Sequence, residues 1–110
     1  MVQYSEFDAS FAALADPVRR GILERLGRGA ATVSELAGDF EMSLTGVKKH
    51  IHLLEAAGMV VTEKRGRVRY CELGRNSLER EAIWLSEFRA TIESRLDHLD
   101  AFLQRTENQP

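Results

Sequence analysis

The 110-residue chain has one cysteine, Cys71, so it can form no internal disulfide and is far from a multi-cysteine zinc framework. It has no apolar run of about 18 residues and therefore no candidate transmembrane helix. Its first residues lack the charged, apolar and small-residue succession of an export signal, so the cytoplasm is the expected compartment and no membrane partner is expected. Positive charge is scarce overall: 15 Lys and Arg face 17 Asp and Glu, leaving a net charge of −2. That average by itself argues against a nucleic-acid binder.

The distribution says otherwise. Between Ser43 and Tyr70 the cations are Lys48, Lys49, Lys64, Arg65, Arg67 and Arg69, against only Glu55 and Glu63, so this window carries +4 and the remainder −6. Charges separated by more than a Debye length of ~8 Å are largely screened at physiological salt, so a local basic surface suffices to engage phosphates.

Apolar spacing and capping residues divide the chain into elements. Phe7, Phe11 and Leu14 form an apolar stripe on a first helix over about 5–15. Asp16 and Pro17 open a second helix over 17–26, whose buried face is Val18, Ile22, Leu23 and Leu26. Thr32 with Glu35 three residues on is a capping-box signature, and it starts a third helix that turns Val33, Leu36, Ala37 and Phe40 inward. Glu41 and Met42 form a turn. Ser43 then caps a fourth helix over about 43–57 that ends at Gly58, with Val47, Ile51 and Leu54 on one face and Thr45, Lys48, Lys49 and His52 largely opposite.

Residues 60–73 have the composition of a β-hairpin with Gly66 at its reversal. Strict alternation puts Arg67, Arg69, Cys71 and Leu73 on one face; with Leu73 expected in the core, a bulge or twist between Arg69 and Leu73 is predicted. From Asn76, expected as a cap, no Gly or Pro appears until Pro110, so a helix of about 30 residues is predicted, over roughly 77–105. Its apolar residues include Leu85, Phe88, Ile92, Leu96 and Leu99. A helix that long exceeds what so small a domain can cover, so a homodimer is expected, with these five and Phe7 and Phe11 at its interface.

Two short helices joined by a tight turn, the second with an outward basic face, followed at once by an arginine-tipped hairpin, make a winged helix-turn-helix. The fold expected is mainly α with a small β-hairpin: about five helices in a single domain over 1–110, ending in a long dimerisation helix. Segments 11–26 (FAALADPVRRGILERL), 32–37 (TVSELA), 42–60 (MSLTGVKKHIHLLEAAGMV) and 65–73 (RGRVRYCEL) together resemble the ArsR/SmtB family of bacterial winged-helix repressors. The resemblance implies a homodimer in which the first and last helices pair across a two-fold axis and both recognition helices share one DNA-facing surface. It also implies a metal-independent branch. The positions at which metal sensors carry a Cys-centred motif are Ala30, Ala31, Thr32 and Val33, and the last helix instead carries Trp84 and the run 96–100 (LDHLD). Lys48 departs from the serine common in the family, so base preference there does not carry over.

The residues expected to contact double-stranded DNA are Ser43, Thr45, Gly46, Lys48, Lys49 and His52 on the fourth helix and Lys64, Arg65, Arg67 and Arg69 on the wing. Ser43 would serve as both cap and phosphate donor, and Gly46 would permit close approach. His50, at the edge of the buried face, is expected to pack or to bond backbone rather than touch DNA. His98 between Asp97 and Asp100 reads as a solvated polar face in preference to a metal site across a dimer, and Cys71 as an ordinary strand thiol in preference to a redox sensor. A pocket walled by Trp84 is the place an effector would occupy, but no effector is indicated. With no nucleophile and base pair, glycine-rich phosphate loop or metal-ligand set, neither an enzyme nor a cofactor is expected. The rival function is a winged-helix module that docks protein without binding specific DNA.

Overall fold

Four side-chain caps mark where the first four helices start. The computed structural model describes residues 5–107. At its N-terminal end Ser5 Oγ accepts from Asp8 N at 3.2 Å while Asp8 Oδ2 accepts from Ser5 N at 3.3 Å, a reciprocal capping box that opens α1 (Glu6–Leu14). Asp16 Oδ2 accepts from Arg19 N at 3.0 Å at the head of α2 (Pro17–Leu26), and this bond is the main reason the Asp16 carboxyl lies below its ordinary pKa. Thr32 Oγ1 accepts from Glu35 N at 3.0 Å to start α3 (Val33–Asp39), and Ser43 Oγ accepts from Gly46 N at 3.0 Å to start α4 (Leu44–Ala56).

The sheet has three strands in the order β1-β3-β2, with β1 (Ala31–Thr32), β2 (Val60–Arg65) and β3 (Val68–Leu73) all antiparallel. The sequence suggested only the hairpin; β1 is two residues long, and it becomes a strand by lying opposite Cys71 and Tyr70. The hairpin reverses through Gly66, whose φ of +64° suits the first central residue of a two-residue primed turn. Its register runs without interruption from Arg65↔Val68 to Val60↔Leu73, so the expected bulge is absent. Leu73 is 47% exposed and Cys71 is the buried residue of β3.

Ile22, Leu36, Val47, Leu54, Val60 and Cys71 are fully buried and form the centre of the core, with Leu26, Val33, Ile51 and Met59 around them. Val18, Leu23 and Phe40 pack against that cluster from its edge, the Phe40 ring lying over Gly21. The apolar stripe of α4 is thereby turned inward and its basic stripe outward.

The end of α4 is locked to the base of the hairpin. Gly58, at φ +72°, donates to Glu55 O at 2.9 Å and Met59 N donates to Leu54 O at 2.9 Å, a complete Schellman closure. Gly74 N then donates to Met59 O at 2.8 Å and Asn76 N to Gly58 O at 3.0 Å. The Asn76 amide Nδ2 donates to Ala57 O at 2.7 Å and to the buried Ser10 Oγ at 3.0 Å, while Oδ1 accepts from Leu78 N at 2.9 Å. Asn76 is therefore a clamp among α1, α4 and the hairpin, not the cap of the last helix. That helix, α5 (Glu79–Glu107), begins three residues later, after Leu78 takes a φ of +60°.

By density of contacts the chain divides into one unit ending at Leu78 and a second beginning at Glu79. The second is α5 alone, on which Leu85, Phe88, Ile92, Leu96 and Leu99 are each between 43% and 52% exposed. Trp84 stacks on Phe88 with ring centroids 5.2 Å apart. No described helix is long and apolar enough to cross a membrane.

Replacing Asn76 with Ala removes its hydrogen bonds to the Ala57 carbonyl and to the buried Ser10 hydroxyl and should lower unfolding stability by about 1–3 kcal/mol. Gly74→Ala, whose new Cβ would collide with the Gly58 carbonyl, should cost a similar ~1–3 kcal/mol. Urea titration of both variants measures this; unchanged midpoints would show that the junction contributes nothing to stability.

Candidate nucleic-acid interface

Thr45, Lys48, Lys49 and His52 lie at i, i+3, i+4 and i+7 on α4, and all four side chains are exposed. With Leu53 they border a shallow, open concavity of about 540 Å³. Ser43 spends one oxygen lone pair on its cap and keeps its hydroxyl hydrogen for another acceptor. Gly46 has a local packing reason as well as the expected one. A Cβ there would lie 3.1 Å from Met42 Cε and 3.2 Å from Ser43 Oγ, so the glycine keeps the turn into α4 tight.

The wing cations are not equivalent. Arg65 Nη2 donates to Glu63 Oε2 at 3.0 Å, which raises the guanidinium pKa further, and Arg65 also lies 5.1 Å from the Tyr70 ring centroid. Arg69 Nη1 donates to Thr62 Oγ1 at 2.9 Å, and Thr62 Oγ1 donates in turn to Glu55 Oε2 of α4 at 3.2 Å. Lys64 and Arg67, like Lys48 across the groove, make no hydrogen bond or ion pair among the described residues. Lys48, Lys64, Arg67 and Arg69 line one groove of about 350 Å³ between α4 and the wing. The ten residues singled out from the sequence thus fall into two adjoining groups, the exposed face of α4 and the hairpin tip.

Sequence reasoning missed the polar brace behind α4. Arg19 of α2 donates to Ala13 O at 2.8 Å and Ala12 O at 3.0 Å, and its Nη1 lies 3.1 Å from His50 Nδ1. Asp16 Oδ2 is 3.8 Å from the same ring nitrogen. His50 is half-buried in this cluster and bonds a side chain instead of backbone. A guanidinium can only donate, so in the Arg19 contact Nδ1 is the acceptor. A helical wheel places His50 at the edge of the core but cannot supply a partner 31 residues away.

Cys71 is fully buried and burial pushes its thiol pKa up, the opposite of what a reactive thiolate requires. Among the described residues no three His, Cys, Asp or Glu side chains converge as a metal site would require.

A helix-turn-helix domain model matches residues 14–63, the segment that contains α2, α3 and α4. The HTH-type transcriptional regulator Rv2034 of Mycobacterium tuberculosis is 38% identical over 73 residues, 66% of this chain and 68% of that protein. The transcriptional repressor SdpR of Bacillus subtilis is 30% identical over 78 residues, 71% of this chain and 87% of that protein. Among solved structures, an ArsR family transcriptional regulator is 47% identical with a TM-score of 0.73, covering 86% of this chain and 98% of its own. The chain belongs to the ArsR family of transcriptional regulators. A second ArsR-like regulator, from Rhodococcus sp. RHA1, aligns at 32% identity and a TM-score of 0.67 over 88% of this chain and 92% of its own. The winged helix-turn-helix expected from the sequence is thus the fold of its family, with α4 as the second helix of the helix-turn-helix and β2 and β3 as the wing.

The Cys71 thiol should resist alkylation in the folded protein and react only as the chain opens. Its raised pKa favours the fold while the unfolded thiol is still protonated, so stability should fall as pH rises above ~8.5. Alkylation rates and urea midpoints across that range, compared with Cys71→Ala, check both statements; rapid labelling at neutral pH would contradict them.

Proposed function

We propose that this ArsR-family chain is a homodimeric, sequence-specific, non-catalytic DNA-binding repressor that works in the cytoplasm without cofactor or metal. The observation that carries the reading is the exposed stripe of Thr45, Lys48, Lys49 and His52 beside a wing whose Lys64 and Arg67 have no ion partner among the described residues. A surface of unpaired cations on a recognition helix is suited to phosphates and base edges in the major groove. The same cations disfavour the rival reading as a protein-docking module. Repression follows the named activity of SdpR. Selection of bound sequences from random duplex DNA tests the proposal; no enriched sequence, or binding indifferent to salt, would refute it.

Self-association is supported by the α5 stripe of Leu85, Phe88, Ile92, Leu96 and Leu99, too exposed for a helix that stands alone in water. The Phe7–Phe11 edge-to-face pair, with centroids 4.9 Å apart, adds an apolar surface on α1. Ile92→Asp or Leu96→Asp should yield monomers by light scattering and abolish tight operator binding together. A monomeric parent protein at micromolar concentration would defeat this part of the reading.

A two-fold dimer presents two recognition helices about one DNA turn apart, ~34 Å or a small multiple, so the selected operator should be an imperfect inverted repeat. Lys48→Ala should cost ~1–3 kcal/mol on the operator and relax preference at one position. Arg67→Ala should weaken all sequences about equally and reduce the salt slope by about one. Equal loss on operator and random DNA would remove Lys48 from the base-reading set.

Zinc, cadmium and arsenite should leave operator affinity unchanged, because one buried thiol and three scattered histidines offer no clustered soft ligands. A loss of tenfold or more in metal-free protein upon adding any of them, ~1.4 kcal/mol of coupling, would reveal a site around His98 if it persisted in Cys71→Ser.

A further inference from the structure

Two apolar side chains stand where the cationic groove would not call for them. Leu44, the first residue of α4, is 49% exposed, and Val68, the first residue of β3, is 41% exposed. Both line the groove of about 350 Å³ that also holds Lys48, Lys64, Arg67 and Arg69. Leu44 lies one turn before Lys48 and next to Thr45, at the end of the recognition helix that comes nearest to base edges in a helix-turn-helix. Its exposure excludes a core role, and four surrounding cations select a polyanion as the occupant. The apolar group that duplex DNA offers in the major groove is the 5-methyl of thymine.

We propose that Leu44, with Val68 across the groove, is a specificity-determining residue that reads a thymine methyl in each half-site. This rests on the DNA-binding reading above and adds a base identity to it. The cations hold the strand by its phosphates, and those contacts are blind to sequence. The Leu44 side chain supplies the missing discrimination by desolvating one methyl. Burying one such carbon is worth about fourfold in affinity, the equivalent of ~0.8 kcal/mol.

The test uses the full chain and the duplex recovered by random selection, with each thymine in turn replaced by uracil, which removes the methyl and leaves the base pair's hydrogen bonds unchanged. One thymine per half-site should lose about fourfold on replacement. In Leu44→Ala, an exposed substitution that leaves the core intact, the same replacement should have no further effect, and thymine affinity should already be lowered by a similar factor. Val68→Thr should give a smaller loss at the same position. If the protein selects no duplex, the DNA-binding reading itself fails and this inference falls with it. If it selects one but no uracil replacement changes affinity, or the uracil effect survives undiminished in Leu44→Ala, the DNA-binding reading stands and the assignment of Leu44 is overturned.

Discussion

The left-handed turn at Gly58 is the constraint on which the joint surface of α4 and the hairpin depends. It ends α4 by satisfying the helix's last carbonyls locally, and it aims the chain directly into β2. The return strand closes on the same spot: Gly74 bonds Met59, and Asn76 bonds both Gly58 and Ala57. A side chain at Gly74 would strike the Gly58 carbonyl, so the approach is available only because the residue after β3 has no Cβ. The recognition helix and the wing therefore share a base, and the tip of the hairpin inherits its place from the end of the helix.

The charges on this surface divide into held and free. Arg69 is tied through Thr62 to Glu55 at the end of α4, and Arg65 through Glu63 and Tyr70 to its own strands. Such exposed pairs contribute little stability, but they orient guanidinium groups that would otherwise sample many rotamers. Lys48, Lys49, Lys64 and Arg67 have no acid holding them among the described residues, which is what the proposed phosphate contacts require. Behind α4, the Arg19 fork joins two α1 carbonyls to His50, so the side of α4 opposite its basic stripe is fixed by directional bonds as well as by packing.

What the sequence discloses and what it hides follow one physical division. The caps at Asp16, Thr32 and Ser43 each depend on a backbone amide three residues away and are legible from residue type and spacing, whereas the sequence places the start of α1 by its apolar stripe and does not disclose the Ser5 cap. The inward faces of α2 and α4 are legible for the same reason. Asn76 looks like a cap because the local signal for a cap is an Asn before a helix; its actual partners, Ser10 and Ala57, are 66 and 19 residues away. Strand β1 exists only because Cys71 and Tyr70 lie beside it, and Leu73 is exposed although alternation puts it on the same face as the buried Cys71. The basic stripe of α4 could be listed from the sequence, whereas the tethering of Arg65 and Arg69, and the apolar pair Leu44 and Val68 between the cations, emerge only when α4 and the hairpin are placed side by side.

The central claim is that the exposed stripe of α4 and the hairpin tip meet DNA as one surface. Backbone amide resonances of the intact 110-residue protein, followed as the selected duplex is added, test it most directly. The largest changes should fall on Thr45 to His52 and on Lys64 to Arg69 at the same duplex concentration, with the exposed Glu24 of α2 little affected. Changes confined to α5, or to α4 without the hairpin, would contradict the account.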